Sequence, residues 1–375
     1  MTVRQAALLL ALVAGCVGAA VGGFPDLHVY RYGGESVLDR WPVYGSDDPV
    51  TGYPFTYPPI ATVLFVPLAV VPGWVAAAGW TAAGAACLAA TVVVVRRAQG
   101  RPVPGGPVVV VCVAALGTEP VWQNAAFGQV NLLVMAAVLV DLLGRERRWS
   151  GTLIGLVAAV KLTPLVFVVL LVLVGRRLAA ARALVVFAAA AGIGLLAVPG
   201  ASTYWTDQLL DPTRVGPPAL AHNQSVTGAL TRLLDGPPDT WLWIAVAGPV
   251  AAGVLVVAAG WWRRGDRALA ACLGAVAMLL ASPVSWSHHW VWAVPVALVL
   301  WERNRWAAAG WALVFVARPV LWPPWGEGRE LDWSPVEHVL GNGYSLAALA
   351  LAGWAAFALV RGREQEPETA LRRTP

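Results

Sequence analysis

Residues 49–95 form an unbroken run of 47 side chains without a single Asp, Glu, Lys, Arg or His. A helix that crosses a bilayer needs about 20 apolar residues, so this one run must hold more than one membrane element. Comparable apolar segments recur about a dozen times along the chain. Of its 375 residues 58% are hydrophobic and only 13% are charged, where soluble domains carry about 25% charged residues. With a mean hydropathy of +0.65, the chain is excluded as an ordinary water-soluble enzyme. It reads as an all-α integral membrane protein, because lipid forces each backbone segment to satisfy its own hydrogen bonds.

The net charge of +5 comes from 25 Arg and a single Lys, and the Arg cluster in short stretches between the apolar runs. That is the pattern of cytoplasmic loops rather than of a nucleic-acid-binding face. Spans are expected near 5–23, 74–95, 107–119, 129–143, 183–199, 241–262, 267–283, 289–301, 306–322 and 343–360. The first is taken as an uncleaved span rather than a signal peptide. The segment 149–175 is flanked by Arg on both sides, which predicts a hairpin of two short helices with both ends in the cytoplasm. Lys161 and Pro164 then mark a turn about 18 Å deep. This gives about 12 membrane segments in one catalytic domain, residues 1–360, followed by a polar, unfolded cytoplasmic tail, 361–375. Residues 57–71 are assigned to a re-entrant or interfacial helix. The outer face receives loops 24–56, 120–128, 200–240 and 323–342.

Most of the candidate chemistry falls on that outer face. Asp26 lies at the membrane boundary just past the first span. The aromatic residues Tyr30, Tyr32, Trp41, Tyr44, Tyr53, Phe55 and Tyr57 follow it and suit a folded interfacial platform that can stack on sugars. Lys161, the only lysine, is costly inside an apolar hairpin unless paired, with a lipid phosphate or a carboxylate such as Glu119 as its expected partner. His288 and His289 occupy the turn between two spans; adjacent imidazoles on a helix diverge by about 100°, so they are not expected to share a metal. Amides at Gln129, Asn131, Asn223 and Gln224, with His222, suit hydrogen bonds to sugar hydroxyls. Glu330-Leu331-Asp332 and Asp47-Asp48 read as solvated surface rather than metal ligands. The four cysteines lie in apolar stretches without CxxC spacing, so neither disulfides nor zinc are expected. Nucleotide-binding motifs and an Asp-x-Asp pair are missing.

Taken in order, Asp26-Leu27-His28-Val29-Tyr30, Tyr57-Pro58-Pro59, Gly128-Gln129-Val130-Asn131, Lys161-Leu162-Thr163-Pro164, Asn223-Gln224-Ser225 and Ser282-Pro283 to His288-His289 resemble a known family. It is the actinobacterial GT-C glycosyltransferases, specifically the polyprenol-phosphate-mannose-dependent α-1,2-mannosyltransferases of phosphatidylinositol mannosides and lipomannan. The likeness runs over about residues 5–360. It implies a GT-C multi-helix bundle in the bacterial plasma membrane that moves mannose from a polyprenyl phosphate to a glycolipid on the periplasmic side. It also implies a catalytic aspartate at Asp26 and a functional histidine at His288 or His289. Substrate contacts are expected from His28, Tyr30, Tyr57, Gln129, Asn131, Lys161, His222, Asn223 and Gln224. The donor serves as co-substrate, and neither a cofactor nor a metal is expected.

Two other readings compete. An arabinofuranosyltransferase would use the same kind of donor. A secondary transporter would share the spans, the broken helix and the intramembrane lysine, but its polar groups should gather at the midplane.

Overall fold

The computed structural model describes residues 23–371, with side chains as far as Arg361 except at 210 and 212. The expected first span, 5–23, therefore lies almost wholly outside the described residues. Among those described, the elements are α-helices joined by 3₁₀ turns and two isolated β-bridges. In order they are α1 Pro25–Leu38, α2 Pro59–Ala69, α3 Gly73–Ala98, α4 Gly105–Leu116, α5 Glu119–Phe127, α6 Asn131–Leu143, α7 Thr152–Val160, α8 Leu165–Leu173, α9 Arg177–Ala197, α10 Ser202–Thr206, α11 Val226–Leu233, α12 Thr240–Arg263, α13 Arg267–Ala281, α14 Ala293–Trp301, α15 Arg305–Ala317, α16 Pro335–Gly341 and α17 Gly343–Leu371.

Four helices, α3, α9, α12 and the first 19 residues of α17, are long and apolar enough to cross a membrane. The expected 107–119 span is instead a bent pair, in which α4 and α5 meet at 82° and make a fifth crossing if counted as one. The remaining apolar segments are shorter helices. The packing centre is α13, whose residues 268–280 are all buried, as expected of a helix that is apolar on every side. Gly274 lets it close on Phe167 and Leu170 of α8.

Segment 149–175 forms the expected hairpin. If α7 and α8 were collinear, their 22 residues would separate the ends by about 33 Å. Instead Arg176, just past α8, pairs with Glu146, just before α7, at 3.4 Å. Gly151 and Gly155 form a small-residue stripe on α7 where an added Cβ would strike the Ala179 and Ala183 backbone of α9.

The Arg-bearing loops meet at one end of the bundle. Glu302 pairs with Arg96 at 3.7 Å and Arg101 at 2.8 Å, Arg303 pairs with Asp266, and Arg263 donates to the Leu173 carbonyl at 2.9 Å. At the other end the loop before α11 is tied to its neighbours. Gln224 N donates to the Ser285 carbonyl at 2.8 Å, its Nε2 donates to the Gly341 carbonyl at 2.6 Å, and Arg232 donates to Asn342 Oδ1.

Three expectations are corrected here. The stretch 24–56 is not a loop throughout, since α1 fills its first half. Gly33 and Gly34, poor helix formers alone, are selected by packing: Gly34 meets Phe65 and Ala69 of α2, and Gly33 meets Phe55. The tail does not begin unfolded at 361, because α17 runs on to Leu371; its Glu, Gln and Arg have good helix propensity and follow an established helix. Asp48 and Glu330 are not solvated. Asp48 is 4% exposed and accepts from Thr51, while Glu330 is 1% exposed and accepts from the backbone of Ala221 and Gly326. These are buried turn-closing carboxylates, whereas Asp332 is exposed.

Candidate active site

Asp26 sits in the first turn of α1, where the helix N-terminus favours an anion. α1 lies on α2, with Tyr30 stacked on Phe65 at 4.4 Å between ring centroids. Arg31 holds the far end of α2 by donating to the Leu68 and Val71 carbonyls at 2.5 and 2.8 Å. The aspartate is half-buried and lies outside the membrane-spanning helices. Desolvation pushes its pKa up to about 6, against the opposing pull of the nearby Gln129 side chain and Lys161 charge.

The turn between α5 and α6 brings the next groups. Gly128 adopts the left-handed region at φ 73° and lies so close to Leu27 that an added Cβ would sit 2.9 Å from its Cβ. Glycine therefore serves both the turn and the contact with α1. Gln129 Oε1 accepts from Tyr30 at 3.2 Å and Tyr57 at 3.1 Å, and the two phenols lie 2.9 Å apart.

Lys161 ends α7 in an extended conformation and reaches out from the hairpin break. Its Nζ donates to Asn131 Oδ1 at 2.7 Å and lies 2.9 Å from His289 Nε2. Glu119, the expected carboxylate partner, is engaged elsewhere, accepting from Ser287 at 2.6 Å and Tyr344 at 3.1 Å. Lysine thus pairs with an amide and an imidazole, both uncharged acceptors. A cleft of about 310 Å³ opens here, lined by Asn131, Lys161, Thr163, Ser285, His289 and Trp292. An apolar groove of about 500 Å³ runs between α3, α4, α5 and α6 on the other side of the 129–131 turn, reaching Gln129 at one end.

Seven of the expected residues, Asp26, Tyr30, Tyr57, Gln129, Asn131, Lys161 and His289, therefore form one connected constellation. His288 borders it. Its ring packs edge-on to Phe127 at 5.6 Å, its carbonyl accepts from Asn131, and its Nε2 is buried with no partner among the described residues. His28 lies two residues past Asp26, about 200° further round α1. Asn223 and Gln224 are fully buried, with their amides bound to the loop at 218–225, to residues 283–285 and to Gly341 and Tyr344. His222 packs edge-on to Trp325 at 5.1 Å; burial lowers its pKa against the opposing charge of Glu330. Among the described residues no three His, Cys, Asp or Glu side chains are placed to hold a metal ion.

Sequence reading missed Thr163, Ser285 and Trp292 as cleft walls, although Thr163 and Ser285 stand inside the quoted motifs. Tyr344 was missed outright. The lone Glu119 at the end of an apolar segment was the signal that a buried partner had to exist.

The family model for Glycosyltransferase family 87 matches residues 55–283. The chain is 35% identical to the polyprenol-phosphate-mannose-dependent alpha-(1-2)-phosphatidylinositol mannoside mannosyltransferase of Mycobacterium tuberculosis strain H37Rv, over 88% of this chain and 84% of that protein. It is 35% identical to the corresponding pentamannoside mannosyltransferase of strain CDC 1551, over 94% and 87%. A mannoside mannosyltransferase of Mycolicibacterium smegmatis is 36% identical over 87% and 82%. No solved structure matches the chain. Motif order, an all-α membrane bundle and near-full-length similarity agree, and the chain belongs to glycosyltransferase family 87, of the GT-C type.

Proposed function

We propose that this protein transfers mannose from polyprenyl phosphate mannose to a lipid or glycolipid acceptor on the outer face of a bacterial plasma membrane. One observation carries the reading: α1 and the hairpin tip bring a carboxylate, Asp26, and an amine, Lys161, close enough for each to act on the other, with Gln129 and Asn131 between them. Such a pair matches the two charges of the reaction. Lys161, assisted by His289, meets the departing phosphate, and Asp26 removes the proton from the acceptor hydroxyl as it attacks the anomeric carbon. A single base is enough for direct displacement, so a β-linked donor yields an α-mannoside. The lysine serves as the phosphate counter-ion, and activity in excess EDTA is expected.

The apolar groove beside Gln129 suits a lipid chain, since it presents hydrocarbon walls at membrane depth. About twelve membrane segments, both termini in the cytoplasm and residues 1–360 as one catalytic domain complete the proposed arrangement, with the Arg-rich end inside. A transporter is disfavoured because the relatives matched over nearly the full length of the chain are mannosyltransferases.

The test is to incubate purified protein with radiolabelled polyprenyl phosphate mannose and membrane lipid acceptors. Labelled lipid released by an α-mannosidase is the expected product. Label transferred only from polyprenyl phosphoarabinose, or moved across vesicles without covalent transfer, would replace the proposal with one of its rivals.

A further inference from the structure

Two amides stand between Lys161 and Asp26, and their hydrogen bonds fix which end of each faces which neighbour. An ammonium only donates. Lys161 therefore fixes Asn131 with Oδ1 toward the lysine at 2.7 Å, leaving Nδ2 to donate elsewhere. That nitrogen meets the His288 carbonyl at 3.2 Å and Gln129 Oε1 at 3.4 Å. The same Oε1 faces the hydroxyls of Tyr30 and Tyr57. Val130 N–H donates to the Tyr30 oxygen at 3.3 Å, which leaves the Tyr30 proton to be donated onward. With its oxygen so surrounded by donors, the Gln129 amide has its N–H end left over, and Asp26 lies near enough for this side chain to favour its ionised form.

We propose that Asn131 and Gln129 are a polarity relay, set by Lys161, that aims one N–H at one oxygen of Asp26 and leaves the other oxygen free for the acceptor hydroxyl. This rests on Asp26 being the base. The two amides are then positioning residues rather than sugar ligands, and Tyr30 and Tyr57 lock the relay by holding Oε1. The titratable groups facing Asp26 are Lys161 from the hairpin, Tyr30 from α1 and Tyr57 from the segment before α2. Burial keeps both tyrosines neutral near neutral pH, so the acid limb of the rate profile reports Asp26 and what bonds to it.

The experiment is a pH–rate profile with separate kcat and donor KM for Gln129→Met, Gln129→Glu and Tyr57→Phe. Gln129→Met keeps length but removes the N–H; kcat is expected to fall about 10-fold or more and the acid limb to move up by about one pH unit. Gln129→Glu sets a like charge beside Asp26 and should move the limb further. Tyr57→Phe keeps the ring packing, so it guards against a folding failure, and a smaller upward move is expected. A merely structural role would lower yield or rate without moving the limb. An unmoved limb in all three, or a raised donor KM at unchanged kcat, overturns the relay. If Asp26→Asn is inactive while these variants are normal, only the relay falls; if Asp26→Asn is active, the proposed function falls with it.

Discussion

Lys161 Nζ lies 2.9 Å from His289 Nε2 across 128 residues of sequence, and the two side chains meet nowhere but at the break of the α7–α8 hairpin. The hairpin exists to deliver that lysine: two nine-residue helices are each too short to cross a bilayer, and their break leaves Lys161 facing the cleft. Lys161→Met keeps the length of the stem and removes the charge. Fold and expression should survive, since losing a partly buried charge relieves desolvation. Turnover should drop by about 10²–10³-fold, the usual loss when a preorganised charge stabiliser is removed. The check is donor turnover in detergent beside a thermal unfolding curve.

The two adjacent histidines are not equivalent. His289 reaches Lys161 through its ring, whereas His288 serves Asn131 through its backbone carbonyl and packs its ring on Phe127. His289→Ala should reduce kcat by about 10-fold or more, on the scale of a lost proton-handling group. His288→Ala should lower stability more than rate. Rates and melting temperatures of the two variants, measured side by side, decide the assignment.

A base must be ionised to act. Because burial lifts Asp26 to about 6, activity should fall about tenfold per pH unit below that value. The sign is fixed by the direction of the shift: acid protonates the carboxylate and removes the base. A profile of kcat/KM between pH 4.5 and 8 shows whether the limb lies there or near the ordinary aspartate value.

The Arg-bearing end should face the cytoplasm. Pro237→Cys, in the loop before α12, should react with a membrane-impermeant maleimide in intact spheroplasts, and Arg148→Cys should react only after lysis. The reverse pattern would invert the bundle and place the cleft inside.

Much of this arrangement was legible in the sequence because membrane chains write their constraints in charge. The Arg clusters on both sides of 149–175 announced a hairpin, and a solitary lysine inside it announced that polar partners had to be near. What could not be read was which acceptor each donor would find. Glu119 offered a charge for Lys161, yet Ser287 and Tyr344 take it, because the 82° bend after α4 directs α5 away from the hairpin. Asn223 and Gln224 look like sugar ligands in sequence. Their burial against loop backbone shows that loops without regular structure use amides to satisfy one another. The helix over residues 25–38 was hidden by Gly33-Gly34, since a glycine chosen for close packing is indistinguishable in sequence from one chosen for a turn.

Asp26 is the group on which the proposed transfer most depends. Asp26→Asn preserves size and hydrogen bonding and removes basicity, so single-turnover transfer from radiolabelled polyprenyl phosphate mannose is the decisive measurement. The expected result is unchanged donor affinity with transfer slowed at least about 100-fold. Transfer at the wild-type rate with donor saturating would contradict the account and move the base elsewhere.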